Sequence, residues 1–269
     1  MPLAICATPI GNLDDVTLRV LDELRAADIV LCEDTRHTRV LLERHAITAT
    51  LLSYHQHNEA ARTPQVIDRL RGGERVALVS DAGLPGVNDP GARLIASALA
   101  GGLEVTVLPG ASAVETALVA SGLAADRFQF VGYLPRRAAE LRALATELQS
   151  WSGAVVAFES PRRLPASLRA LAAELPDRPA AVCRELTKRY EEVAQGSLEE
   201  LSARFADPPR GEITLVLGAT ATTPSAGDEA AASAAVAELV AAGAARRTAV
   251  DVVSRLSGTS RNRLYRGSL

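Results

Sequence analysis

Residues 76–91, VALVSDAGLPGVNDPG, begin as a buried strand and end in a loop crowded with charge and backbone specialisation. Val76 to Ser80 are apolar or small. Asp81, Gly83, Pro85, Gly86, Asn88, Asp89, Pro90 and Gly91 follow, far more than a plain connection needs. The same enrichment recurs after three other β-prone runs: TPIGN at 8–12, EDTRHT at 33–38 and PGAS at 109–112. Each loop has a local explanation taken alone. Pro-Gly makes a turn, while Asp34, Asp81 and Ser112 are N-cap residue types. Four such loops in succession favour a shared cleft, because open α/β sheets bind ligands outside the carboxyl ends of their strands.

The residues that are missing narrow the ligand. GxGxxG is absent, which argues against a dinucleotide dehydrogenase. A phosphate loop needs Gly-Lys, and the only lysine, Lys188, follows Thr187. There is no HExxH, and His55 and His57 alone do not make a metal site. No metal is expected. A nucleoside-like ligand held by backbone groups remains. Lys188 is itself notable, since lysine and arginine together number 29. A single ammonium in an arginine-rich chain marks a position where a guanidinium does not serve, or else chance survival on a solvated face.

The elements that must position these residues alternate. LAICA (3–7), DIVLCE (28–33), VALVS (76–80) and VTVLP (105–109) read as strands, each followed by an amphipathic helical pattern. That alternation predicts a largely parallel sheet covered on both faces. Past about residue 122 the rhythm changes. Strands are expected at 128–133, 154–160, 180–186, 191–196 and 212–218, and helices at 138–150, 161–175 and 197–206. The close pair 180–186 and 191–196 should run antiparallel. The fold class is therefore α/β, with an N-terminal α/β domain (1–111), a mixed-sheet domain (112–219), a linker (220–228) and a basic helical module (229–269). The module holds six arginines against three acids, whereas the whole chain has a net charge of −3. Any attraction to nucleic acid must then be local. Cys6, Cys32 and Cys183 sit in apolar runs without CxxC spacing, as core thiols of a reduced protein do. No long uncharged apolar run appears, so a cytoplasmic protein without a membrane partner is expected.

TPIGNLDDVTLRVL, EDTRHTRVLL, SYHQHNE, VSDAGLPGVNDPG, LPGASAVETALVASGL, FVGYLPR, ESPRRL and RELTKRYEE occur in order over residues 3 to about 219. Together they strongly resemble the tetrapyrrole methylase superfamily, in its branch that acts on ribosomal RNA; RNRLYRGSL at the end is similar too. The resemblance implies two α/β domains with S-adenosylmethionine between them, a homodimer, and 2′-O-methylation of a cytidine in the decoding region of 16S rRNA, naked or in the small ribosomal subunit. It also implies a cofactor wall made of Thr8, Pro9 and Gly11, of Asp81, Ala82, Gly83, Pro85 and Asp89, and of Pro109, Gly110, Ala111 and Ser112. Gly211, Glu212, Ile213 and Thr214 would flank the adenine. Asp81 and Asp89 suit the ammonium end or the sulfonium field of the cofactor.

Activating a ribose hydroxyl calls for a base or a charge that stabilises the alkoxide. Lys188 is the first candidate, as a base if burial lowers its pKa and otherwise as an alkoxide or phosphate clamp. Glu159, Glu185 and Glu59 are further candidates, against solvated or core-capping roles. RNA phosphates are expected to meet Arg36, Arg184, Arg246, Arg247, Arg261, Arg263 and Arg266. Two alternatives stand beside this reading: a tetrapyrrole C-methyltransferase, and a non-catalytic RNA- or ribosome-binding protein that keeps the fold.

Overall fold

The computed structural model describes residues 3–219 and 226–267. The chain forms two compact units, one up to Ala219 and one from Thr220. The first unit contains two sheets. Strands β1 (Leu3–Cys6), β2 (Ile29–Cys32), β3 (Leu51–Ser53), β4 (Val76–Leu78) and β5 (Val105–Leu108) form an all-parallel sheet in the order β3-β2-β4-β1-β5. Helices α1 (Leu18–Ala26), α2 (Thr35–Arg44), α3 (Glu59–Arg71) and α4 (Ala92–Ala100) cover it. Alternation along the strands divides the side chains between two faces. Leu3, Ile5, Leu31 and Leu78 pack with Val66, Leu70 and Leu94 of α3 and α4. Ala4, Cys6, Val30 and Ala77 pack with Val20, Leu24 and Leu42 of α1 and α2. Over β1, β2 and β4 both faces are dry, which is why these strands read as continuous apolar runs. Burial pushes the Cys6 and Cys183 thiols up to about 12, as inert core residues.

β3 and α3 lie where no element was expected. β3 is three residues long, and Pro64 sits inside α3. Asn58, at the helix start, makes no capping bond, because its side chain serves His55 and Ser53 instead. A three-residue strand carries no periodic signal, and a proline argues against a helix interior.

Helix α5 (Ala113–Ala120) leaves the first sheet and packs on the second, with Ala117 and Leu118 against Val156, Ala181 and Val216. The second sheet comprises β6 (Phe128–Tyr133), β7 (Ala154–Glu159), β8 (Pro179–Arg184), β9 (Glu192–Ser197) and β10 (Ile213–Leu217), in the order β6-β7-β10-β8-β9. Only β6 and β7 pair in parallel, and β8 and β9 pair antiparallel as expected. Helices α6 (Ala138–Gln149), α7 (Leu164–Glu174) and α8 (Leu198–Arg204) cover the face away from α5. Ser197 and Glu200 form a reciprocal cap at the start of α8.

The second unit consists of α9 (Ala226–Ala241), α10 (Arg246–Ser257) and α11 (Arg261–Gly267) around Val236, Val250, Val253 and Leu264. Of the stretch read as a linker, 220–225 lie outside the described residues, and α9 already begins at Ala226. No described helix is long and apolar enough to cross a membrane.

Arg178, 4% exposed, closes the end of the second sheet. Its guanidinium donates to the carbonyls of Gly218, Leu148 and Gly153 at 3.0, 2.6 and 3.0 Å, and burial lowers its pKa. Replacing it removes the guanidinium's bonds to the Gly218 and Gly153 carbonyls, while Leu148 keeps the Trp151 N–H as a donor. Arg178→Ala should lower unfolding stability by about 2–4 kcal/mol, seen as a reduced urea midpoint at unchanged secondary-structure content.

Candidate active site

The strand order decides which loops meet. β2, β4, β1 and β5 are successive neighbours and parallel, so EDTRHT, SDAGLPGVNDPG, TPIGN and PGAS leave the same edge side by side. Direct bonds knit them together. Thr8 and Gly83 exchange backbone hydrogen bonds at 2.8 and 3.1 Å, and the Thr8 hydroxyl donates to the Ser80 carbonyl at 3.0 Å. Gly83 adopts φ +77, and a Cβ there would touch the Ala111 carbonyl at 3.8 Å and Ile10 at 4.0 Å. Three of the four glycine-bearing or polar loops thus converge on one backbone position. Gly110 lies so close to Ala7 that a Cβ would stand 2.9 Å from the alanine methyl. The Asp81 carboxylate accepts from the Asp34 N–H at 3.1 Å and lies 3.6 Å from His37, which ties in the fourth loop. Pro9, Gly83 and Pro85 are buried, whereas Gly11, Asp81, Ala82, Pro109 and Gly110 are exposed. Ala111 and Ser112 are half-buried, and the Ser112 hydroxyl donates to Glu115 instead of capping α5.

The first loop also reaches the second sheet. Ile10 is buried in the cluster that holds Ala117, Cys183 and Leu186. A Cβ on Gly11 would stand 2.5 Å from Lys188 Cγ, 2.7 Å from Thr187 Oγ1 and 2.8 Å from the Leu186 carbonyl. The Asn12 N–H donates to Thr187 Oγ1 at 3.0 Å. Lys188 Nζ lies between Glu185 (3.0 Å) and Glu212 (2.8 Å). Burial opposes its charge, but the hydrogen bonds from its ammonium to Glu212 and Glu185 outweigh that and raise its pKa. Lys188 is therefore a cation here and not a neutral amine, which does not suit the role of base. Glu185, at φ +52, accepts from the Glu212 N–H, which with Lys188 holds its carboxyl below the usual range. Gly211 packs on Glu185, with room for no Cβ. Ile213 and Thr214 are buried in β10, and Glu212 is exposed.

Negative charge collects along this edge. Asp89 is pushed up to about 6, by desolvation first and then by Glu33, with Asp81 adding to it against a Ser80 hydrogen bond. Glu33 is raised by desolvation and by Asp81 and Asp34, against His55. An open concavity of about 510 Å³ is lined by Glu33, Asp34, Arg36, His55, His57 and Asp81 among others. The acid Glu33 and the exposed Tyr133 did not stand out from the sequence. Only the folded sheet brings Glu33 beside Asp81 and Asp89. Among the described residues no cluster of His, Cys, Asp or Glu has the arrangement of a metal site.

The remaining candidates are placed apart or already engaged. The Glu159 side chain is fully buried, bonded by the Ser167 hydroxyl and the Ser160 N–H, and 3.1 Å from Arg163. It anchors the strand end and does not face solvent as a base. Glu59 starts α3, 3.8 Å from Arg93. Arg36 is paired with Asp34 at 2.6 Å, and its hydrogen bonds hold that carboxyl well below the usual range. Arg184 is paired with Glu192 at 2.8 Å and keeps 23% of its side chain exposed. In the second unit Arg246, Arg247, Arg261 and Arg263 are exposed, Arg261 3.0 Å from Asp251. The side chain of Arg266 lies outside the described residues.

The model of the tetrapyrrole (corrin/porphyrin) methylases matches residues 2–202. The chain belongs to the tetrapyrrole methylase family. Within it, the chain is 45% identical to ribosomal RNA small subunit methyltransferase I of Micromonospora olivasterospora, over 98% of this chain and 85% of that one. It is 48% identical to the protein of that name from Mesorhizobium japonicum, over 80% and 74%. Solved structures carry the same fold. Diphthine synthase superposes with a TM-score of 0.63 at 17% identity, covering 81% of this chain and 90% of that one. Uroporphyrin-III C-methyltransferase from Thermus thermophilus, complexed with S-adenosylhomocysteine, does so with a TM-score of 0.56 at 21% identity, covering 81% and 97%. In this methylase one tight joint between the loops is Gly11 against Leu186–Lys188. Gly11→Ala should displace Lys188 and lower methyl transfer on the order of tenfold to a hundredfold, with the melting temperature shifted by only a few degrees; single-turnover rates and thermal scans check this.

Proposed function

We propose that this chain transfers a methyl group from S-adenosylmethionine to the ribose 2′-hydroxyl of a cytidine in the decoding region of small-subunit ribosomal RNA. The observation that carries the cofactor is the meeting of Thr8, Gly83 and Ala111 beside carboxylates raised by burial and mutual repulsion. Such a set suits a ligand that is cationic and nucleoside-like, approached closely by backbone. S-adenosylmethionine fits it, and the Thermus relative of the same fold binds the demethylated form. Asp81, Asp89 and Glu33 would hold the charged end, Gly83 and Gly110 would let the backbone approach, and Gly211–Thr214 would border the adenine. The bound cofactor supplies an electrophilic methyl group. The names of the relatives support ribosomal RNA as acceptor.

The chain's own contribution is positioning and charge. Holding a hydroxyl in line with the methyl group removes much of the barrier. Lys188, kept protonated between Glu185 and Glu212, does not take the hydroxyl proton, which would leave to solvent; its charge stabilises the developing alkoxide or a neighbouring phosphate. The arginines of α10 and α11 add a basic surface for phosphates on a unit that folds around its own core. A homodimer belongs to the same reading, supported by Val107 (50% exposed) on the edge strand β5.

The decisive experiment incubates the purified protein with labelled S-adenosylmethionine and small ribosomal subunits lacking the modification, then maps 2′-O-methylation. Label confined to a 16S cytidine supports the reading; transfer to no RNA, or to a tetrapyrrole, overturns it. Cofactor affinity should also depend on pH. A cation binds best when Asp89 is ionised, so affinity rises as pH passes upward through about 6. Calorimetry at pH 5 and pH 7 should differ roughly tenfold, and Asp89→Asn should flatten much of that slope. Neutralised phosphates release counterions, so RNA affinity should fall steeply with salt, and less steeply once residues 229–269 are deleted.

A further inference from the structure

Tyr133 takes no part in the machinery above, yet the fold goes to some length to place it. The chain has only four tyrosines, four phenylalanines and one tryptophan, and Tyr133 leaves 62% of its surface exposed. It ends β6, after a bulge in which three steps from Phe130 to Tyr133 match two on β7. A bulge re-aims the side chain that follows it. Gly132 within the bulge adopts φ +69, and a Cβ there would stand 3.0 Å from Asn88 Oδ1. The loop of Asp81 and Asp89 thus presses on the residue before Tyr133. From the other side, Arg163 donates to the carbonyls of Leu134 and Pro135 at 2.7 and 2.9 Å, and the buried Glu159 holds Arg163 in turn. The ring is braced edge-on by Phe158 at 5.6 Å, and Phe158 by Phe130 at 4.9 Å. An exposed side chain is seldom so firmly held.

The charges nearby restrict what the ring can meet. Desolvation, and then Asp89, Glu212, Glu159 and Glu33, raise the pKa of the Tyr133 phenol. Those carboxylates come from both halves of the unit, so Tyr133 stands where the two edges face each other. Glu212 and Glu159 are paired with Lys188 and Arg163, but Asp89 and Glu33 have no such partner, and their charge opposes a phosphate and not a neutral base. Sequence-specific recognition of RNA mostly takes unpaired nucleotides, whose bases are splayed out and stacked on a flat partner. We propose that Tyr133 is the stacking platform for the base of the acceptor nucleotide, set in advance by Gly132, Asn88 and the Glu159–Arg163 pair. This rests on the RNA-methylating reading given above. Because the ring is held before binding, little freedom is lost when the base arrives.

The test uses full-length wild type, Tyr133→Phe and Tyr133→Ala. Three readouts are taken: cofactor affinity by calorimetry, kcat/KM on small ribosomal subunits, and quenching of pyrrolocytidine at the acceptor position of a single-stranded RNA. Tyr133→Phe should stay within about twofold of wild type and keep the quenching, since the ring is retained. Tyr133→Ala should lose roughly 5- to 150-fold in kcat/KM and lose the quenching, with cofactor affinity unchanged. Equal kcat/KM and equal quenching in the Ala variant overturn the proposal. A Phe variant as impaired as Ala also overturns it, because the hydroxyl and not the ring would then be what matters. Failure of the wild type to methylate RNA sinks the functional reading itself, a result separable from either variant outcome.

Discussion

The short run from Thr8 to Asn12 is the constraint on which the rest depends. Thr8 is locked to Gly83 by a pair of backbone bonds, Ile10 is buried in the second sheet's core, and Asn12 is bonded to Thr187. Gly11 has no side chain because none fits against Leu186–Lys188. Five residues therefore fix the first sheet's loop edge against the turn that carries Lys188. Without that seam the carboxylates of one edge and the ammonium of the other have no defined separation, and a transfer that depends on alignment has no fixed geometry.

Electrostatics divide the work along the seam. On the first sheet's edge, Glu33, Asp81 and Asp89 crowd negative charge that no described lysine or arginine is shown to neutralise for Asp89 and Glu33. On the facing turn, two carboxylates hold one ammonium. The first arrangement stores a preference for a cationic ligand, and the second keeps a cation in place beside it. Glu159, a carboxylate of the same type, does neither: buried and paired, it is part of the scaffold. Residue type alone does not separate these roles, but burial and partners do.

This explains what was legible in the sequence. Strands such as 154–160 and 180–186 were visible because they are buried on both faces, and a buried strand has little choice of residue. The loops were visible through their glycines, prolines and acids. β3 was not, being three residues long, nor α3, whose interior holds Pro64. Lys188 stood out by its rarity. Its state did not, because Glu212 is far away in the chain and Glu185 reaches it only through a turn with φ +52 at Glu185 and φ +64 at Thr187. Tyr133 lay in an ordinary-looking strand, and its exposure comes from a one-residue bulge that leaves no mark on hydrophobic alternation.

Helix α5 starts directly from PGAS and packs on the second sheet, not the first. Within residues 3–219 the polypeptide passes from one half to the other once, and it does so through Pro109–Ser112. The segment that joins the halves is thus also one proposed to border the cofactor. On that reading, a change in the angle between the halves would twist the peptides that line the pocket, so its occupant and that angle would share torsions. The two halves would then not be interchangeable modules, because any cut that separates them, or any splice that joins one to a foreign partner, falls in that same segment.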